Sequence, residues 1–191
     1  MPKHYLNIQG YFNFEDIYQF ISKRFPEGKF VEIGTWLGKS TCFLAECIKE
    51  NGGKANLYAI DTFVGEIGAK EQQELVAKSG GSIYELFIEN MKKAEVLDLI
   101  TPIISSSTEA SATFEDNSLD FLFIDASHIE ADVLDDLSCW FPKIKLGGYI
   151  GGHDYYDDPL KCKHSEVKAA VIKFFGAELP QIGSSFLIQK N

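Results

Sequence analysis

Phe30-Val31-Glu32-Ile33-Gly34-Thr35-Trp36-Leu37-Gly38-Lys39-Ser40-Thr41 carries an apolar run into an acidic residue and a glycine, then to a second glycine and a helical pattern. A buried strand that turns sharply into a helix needs glycines there, because only they reach positive φ freely and let backbone lie close to a ligand. The sign of the ligand is read from Glu32. A carboxylate beside the turn would repel the phosphates that a helix N-terminus attracts. It would favour the amino and sulfonium groups of S-adenosylmethionine.

Three other readings compete for this loop. Gly34 to Ser40 resembles a nucleotide P-loop, but that motif has four residues between its glycines and here there are three. A dinucleotide loop requires glycine where Trp36 stands. An ordinary strand-to-helix turn without a ligand is the third.

Outside the loop, apolar strand-like runs alternate with helical patterns. This predicts an α/β chain with a Rossmann-like, doubly wound sheet of seven strands, mostly parallel, with an antiparallel C-terminal strand and helices on both faces. Strands are expected at Phe30–Gly34, Leu57–Asp61, Ile100–Ile104, Leu119–Asp125, Gly148–Gly152 and Ser185–Gln189. Helices are expected near Phe14–Phe25, Ser40–Glu50, Ser82–Ala94, Thr108–Ala112, Ala131–Phe141 and His164–Phe175. Ser82-Ile-Tyr-Glu85 reads as a capping box, and Gly52-Gly53 and Gly147-Gly148 read as chain reversals. The 191 residues suit one domain, with 1–28 as an N-terminal extension and 62–81 as a helix-bearing flap or a solvated connection.

A net charge of -10 disfavours a nucleic acid or an anionic membrane as partner. No apolar run reaches membrane-spanning length and no signal peptide is evident, so a cytoplasmic location is expected. Cys42, Cys47, Cys139 and Cys162 lack metal or disulfide spacing and read as core thiols. Cys162 with His164 has no matching pair elsewhere, which weakens a zinc reading.

The chemistry gathers at strand ends, where open α/β sheets bind ligands. Asp61 closes the second strand and can accept both ribose hydroxyls, or serve a turn. Thr62 follows it. Ser105-Ser106-Ser107 follows the third strand and can meet an adenine edge or cap a helix. Asp125 ends the fourth strand with His128 three residues on, and His153-Asp154 ends the fifth. Asp125, His153 and Asp154 are oxygen and nitrogen donors suited to Mg²⁺ or another divalent cation, the histidine opening the choice to Mn²⁺, Fe²⁺ or Zn²⁺. Trp36, Phe63, Tyr155 and Tyr156 could wall an acceptor pocket.

These motifs, from Phe30 to Lys190, resemble class I S-adenosylmethionine-dependent methyltransferases. Within them the chain is similar to small-molecule O-methyltransferases of the catechol, caffeoyl-CoA and macrolide-sugar types. Those enzymes carry Asp followed three residues later by Lys or His after strand four, matched by Asp125 and His128. The resemblance implies Asp125 as metal ligand and catalytic residue, and His128 as general base. Their strand-five motif is an acidic residue followed by Asn or Asp. Here His153-Asp154 departs from it at the first position, which puts the metal and its identity in doubt.

The expected cofactor set is Glu32, Gly34, Thr35, Gly38, Ser40, Asp61, Thr62, Ser106, Ser107 and Asp125, holding S-adenosylmethionine. The expected partner is a small hydroxylated acceptor. A homo-oligomer is open, with the aromatic Met1–Tyr11 segment available to a second subunit. Competing functions are a nucleic-acid methyltransferase, disfavoured because Asp125-Ala-Ser-His128 lacks the Asn/Asp-Pro-Pro-aromatic pattern; a non-catalytic or regulatory cofactor-binding protein; and a P-loop-like nucleotide enzyme.

Overall fold

A computed structural model describes residues 3–66, 68–158 and 163–191. In chain order the elements are α1 (Glu15–Arg24), β1 (Lys29–Ile33), α2 (Lys39–Glu50), β2 (Asn56–Asp61), α3 (Lys70–Lys78) and α4 (Tyr84–Lys93). β3 (Ile100–Ile104), α5 (Ser107–Ser111), β4 (Leu119–Ile124), α6 (Glu130–Trp140) and β5 (Ile144–Gly152) follow. The C-terminal part holds a short ribbon of β6 (Asp157–Asp158) and β7 (Lys163–His164), then α7 (Glu166–Phe175), β8 (Gln181–Ile182) and β9 (Ser185–Gln189).

The main sheet has the order β3-β2-β1-β4-β5-β9-β8. β1 to β5 run parallel; β9 adds antiparallel to β5, and β8 adds antiparallel to β9. Strand alternation divides the core. Phe30, Phe121 and Phe123 pack with α1, α2 and α4 on one face. Val31, Ile33, Leu122 and Ile124 pack with α5, α6 and α7 on the other. Two buried faces explain why these strands read as unbroken apolar runs. The order reverses between β1 and β4, so a crevice opens beyond their carboxyl ends, the usual ligand position in such sheets.

Three expectations change, and one open alternative closes. The seventh strand is Gln181–Ile182, too short to leave a periodic signal. Residues 62–81 do carry a helix, α3. Ser82 does not cap α4: Ile83 is the N-cap, and the Ser82 hydroxyl accepts instead from the Tyr84 amide at 3.2 Å. A reciprocal pair occurs at α5, where Ser106 Oγ accepts from the Glu109 amide and donates to Glu109 Oε2 at 2.7 Å. Gly147-Gly148 is not a reversal but lies inside β5, where the register with β4 slips between Leu119 and Phe121. There Gly147 takes φ +80, and a Cβ on Gly148 would stand 3.0 Å from the Asp120 carbonyl. Cys42 and Cys47 are buried free thiols, Cys139 is partly buried, and Cys162 lies outside the described residues.

Candidate active site

The glycine loop is built by close backbone approach. Gly34 (φ +82) donates to the Ile60 carbonyl at 2.9 Å, and a Cβ there would stand 2.0 Å from the Asp125 carbonyl oxygen. Only a glycine lets the end of β1 lie against the end of β4. Gly38 (φ +85) is the N-cap of α2, and a Cβ there would stand 2.6 Å from Met91 Cε. Asp61 braces the crown of the loop: its two oxygens accept from the Trp36 and Phe63 amides, each at 2.7 Å. The Thr35 and Thr62 backbone amides also hydrogen-bond this carboxylate, so it closes the turn around itself. Burial raises the Asp61 carboxyl above its usual range, against these amide hydrogen bonds. Thr62 beside it is exposed. Trp36, Phe63 and Asp154 have positive φ without being glycine, and backbone strain of this kind collects at functional sites.

Thr35 tests whether the loop fits a ligand. Its hydroxyl oxygen is buried with no hydrogen-bond partner in the protein, a condition folded chains rarely leave unfilled. Together with the carboxylates of Asp61 and Asp125, this loop has the polarity that a cationic nucleoside requires.

Glu32 is sequestered beneath the loop. Its carboxylate accepts from Tyr18 Oη at 2.7 Å and from Thr41 Oγ1, and Ser40 also hydrogen-bonds it. Burial pushes the carboxyl up to about 7 even though three hydroxyls favour the anion. Folded Glu32 therefore keeps a proton that the unfolded chain has lost. Its contribution to stability falls as pH rises from about 4.5 to about 7, by about 3 kcal/mol if undamped. Glu32→Gln is expected to flatten the pH dependence of urea-unfolding free energy between pH 5 and pH 7.5. An unchanged slope would locate the titrating group elsewhere.

The serines after β3 are half-buried. Ser106 is committed to the α5 cap, while Ser107 Oγ accepts from Trp140 Nε1 at 2.8 Å and also hydrogen-bonds Asp136. Burial pushes Asp136 up to about 6. The side chains thus serve α5 and α6, leaving backbone groups of this turn for any ligand edge.

Asp125, His128, His153 and Asp154 come together beyond β4 and β5. His128 Nε2 lies 2.7 Å from Asp154 Oδ2, and its Nδ1 lies 3.2 Å from Glu66 Oε1 in the turn before α3. His153 is buried, with Nδ1 at 3.1 Å from Asp154 Oδ2 and 3.4 Å from Asp125 Oδ1. Ligand-capable atoms of Asp125, His128 and Asp154 all lie within 4.8 Å of one another, the spacing of a set that one cation could bridge. His128 therefore joins the convergent donors, with the expected ligand His153 packed behind them. Two carboxylates and an imidazole form a mixed oxygen and nitrogen donor set that fits a divalent cation.

The charges are strongly coupled. The hydrogen bond to Asp154 pushes His128 up to about 9, so its unperturbed value near 6.5 does not apply at this site. Burial lowers the His153 value, but bonds to Asp125 and Asp154 outweigh it and hold the ring at about 9. Burial works against the Asp154 anion, yet the two histidines hold its carboxyl well below the usual range. Burial raises Asp125, opposed by His153.

Two suggested pocket walls are core residues instead. Phe63 is fully buried against Tyr84 and Phe87, and Tyr155 is fully buried against Phe186 with its hydroxyl bonded to Leu179. Trp36 is half-buried and Tyr156 is exposed. Lys39, the lysine of the P-loop reading, donates to the Gly10 carbonyl at 3.0 Å, which turns it toward the N-terminal segment. Tyr18, Glu66 and Asn13 touch the site and carried no motif signal. Among the described residues no helix is long and apolar enough to cross a membrane.

A family model described as a methyltransferase domain matches residues 31–155. "Uncharacterized protein R132" of Acanthamoeba polyphaga mimivirus is 27% identical over 128 residues, 67% of this chain and 52% of that protein. The chain thus spans about half the length of that relative. Among solved structures, the O-methyltransferase NovP aligns with a TM-score of 0.68 and 18% identity, covering 93% of this chain and 79% of its own. A SAM-dependent O-methyltransferase from Thermotoga maritima aligns with a TM-score of 0.57 and 14% identity, covering 95% of this chain and 58% of its own. At those identities the likeness is one of fold.

Proposed function

The chain belongs to the methyltransferase-domain family, S-adenosylmethionine-dependent enzymes, and we propose that it methylates an oxygen of a small hydroxylated acceptor. The observation that carries this reading is the convergence of Asp125, His128 and Asp154 within 4.8 Å beside the glycine loop. Bound S-adenosylmethionine would supply an electrophilic methyl group on a sulfonium. Gly34, Thr35 and Gly38 shape its bed, Asp61 accepts its ribose hydroxyls, and Glu32 with Ser40 stiffens the loop from below. Backbone at Ser106 and Ser107 meets the base edge.

Asp125 and Asp154, with a histidine, hold vicinal oxygens of the acceptor, either directly or as ligands of Mg²⁺ or another divalent cation. His128 takes the proton of the attacking hydroxyl, after giving up the proton that Asp154 and Glu66 favour on it. The sulfonium would supply the methyl group, the new oxygen–carbon bond forming as the carbon–sulfur bond breaks and its electron pair leaves on sulfur. Holding the two reactants in line is the protein's main contribution to rate. The acidic surface favours a small molecule over nucleic acid, and the reading includes a cytoplasmic location.

Titration calorimetry with S-adenosylhomocysteine, in EDTA and again with Mg²⁺ or Mn²⁺, tests the reading. Micromolar binding supports the cofactor, and added heat with metal supports the ion. Absence of binding in both would overturn it and leave ATP as the next ligand. Transfer of label from methyl-tritiated S-adenosylmethionine to a panel of phenols, sugars and diols then tests the acceptor class.

A further inference from the structure

We propose that Asn13, in the N-terminal segment outside the matched methyltransferase region, is a positioning residue that fixes the ring of His153 so that Nδ1 faces Asp125 and Asp154. The inference rests on the proposed role of those carboxylates in holding the acceptor or its ion.

Asn13 is an exposed residue, yet its side-chain amide is fully engaged. Nδ2 donates to Tyr11 Oη at 2.8 Å and to Ser184 Oγ at 3.0 Å. In this orientation Oδ1, which also accepts from Ser184 Oγ at 3.3 Å, is the atom turned to His153 Nε2, at 2.9 Å. An amide oxygen only accepts, so Nε2 is the donor. Ser184 Oγ lies 2.9 Å from the same nitrogen and steadies it from the β8–β9 turn. The opposite nitrogen, Nδ1, is left aimed at the carboxylates at 3.1 and 3.4 Å.

The segment that carries Asn13 is itself anchored. Glu46 Oε1 accepts from the Lys3 and His4 amides and meets His4 Nδ1 at 2.7 Å. Phe12 and Phe14 stack edge-on at 4.7 Å, and Phe14 lies against Phe123 at 4.5 Å. Asn13 is thereby held between two core-facing aromatics. Losing such an outer partner costs about 10–100-fold in metal affinity at a ligating histidine; His153 acts one step further out, through Asp125 and Asp154.

Long-range proton–nitrogen NMR of the labelled protein reads the bond directly. The exchange-protected Nε2–H signal of His153, assigned by its absence in His153→Gln, is expected in the native protein and in Asn13→Asp. It is expected to vanish in Asn13→Ala, with the melting temperature close to native. Mn²⁺ affinity, read by its electron paramagnetic resonance, is expected to fall about tenfold in Asn13→Ala and to recover in Asn13→Asp. An unchanged Nε2–H signal in Asn13→Ala would overturn the proposal and assign the role to Ser184. Equal Mn²⁺ affinity in native protein and Asn13→Ala would overturn it as well. If native protein binds no Mn²⁺, the ion reading of the site fails while the NMR signal alone decides the positioning role.

Discussion

Asp154→Asn is expected to lower methyl transfer by about a thousandfold or more, while S-adenosylhomocysteine affinity stays within about threefold. Asp154 is the shared partner of both site histidines, at 2.7 Å from His128 Nε2 and 3.1 Å from His153 Nδ1. Asparagine keeps the size of the side chain and tolerates the positive φ of 55 found here, so the backbone has little reason to move. What changes is charge. An amide in place of the carboxylate removes the anion that holds His128, and it can present N–H groups to two ring nitrogens that require an acceptor. The glycine loop, Asp61 and Thr35 are untouched, so cofactor binding and turnover should separate. Single-turnover transfer of labelled methyl beside calorimetry makes the comparison. A parallel loss of both would assign Asp154 to the cofactor bed and overturn the division of roles.

Gly34→Ala is expected to be the most damaging small substitution in the chain. The added methyl would stand 2.0 Å from the Asp125 carbonyl oxygen and 2.5 Å from its carbon. Both belong to backbone, and the neighbouring Asp125 amide is bonded to the Ile33 carbonyl at 2.8 Å. Relief requires prying β1 from β4 at the centre of the sheet, besides the strain of alanine at φ +82. A loss of about 4 kcal/mol is expected, lowering the melting temperature by about 10 °C for a chain of this size, with no measurable S-adenosylhomocysteine binding in what remains folded. Gly176→Ala is the control. It shares a positive φ of 72 but meets nothing within 4 Å, so it should cost only about 1 kcal/mol. Similar losses in the two variants would show that conformational strain, not the approach to Asp125, accounts for the glycine.

The contrast between these two positions marks what can be read locally. Gly34 and Asp125 were legible because a glycine at a strand-to-helix turn and a carboxylate at a strand end each carry their meaning in adjacent residues. Ser107 was legible as a residue of the turn after β3, but its hydroxyl is claimed by Trp140 and Asp136 from α6. Glu32 was rightly placed beside the loop, yet its contacts are hydroxyls of α1 and α2. The ionisation of His128 could not be foreseen, since Glu66, 62 positions away, and Asp154 set it.

Periodicity and glycine placement determined the alternating α/β order, the parallel strands and the loop at the carboxyl end of β1, since these follow from side-chain alternation and backbone sterics over a few residues. Tertiary structure decided which donors converge, how His153 is turned, and that Asn13 reaches it across 140 positions of sequence. A side chain's partner is set by which strands lie adjacent and how helices pack on them, and that adjacency depends on the order β1-β4-β5-β9, which no local pattern encodes.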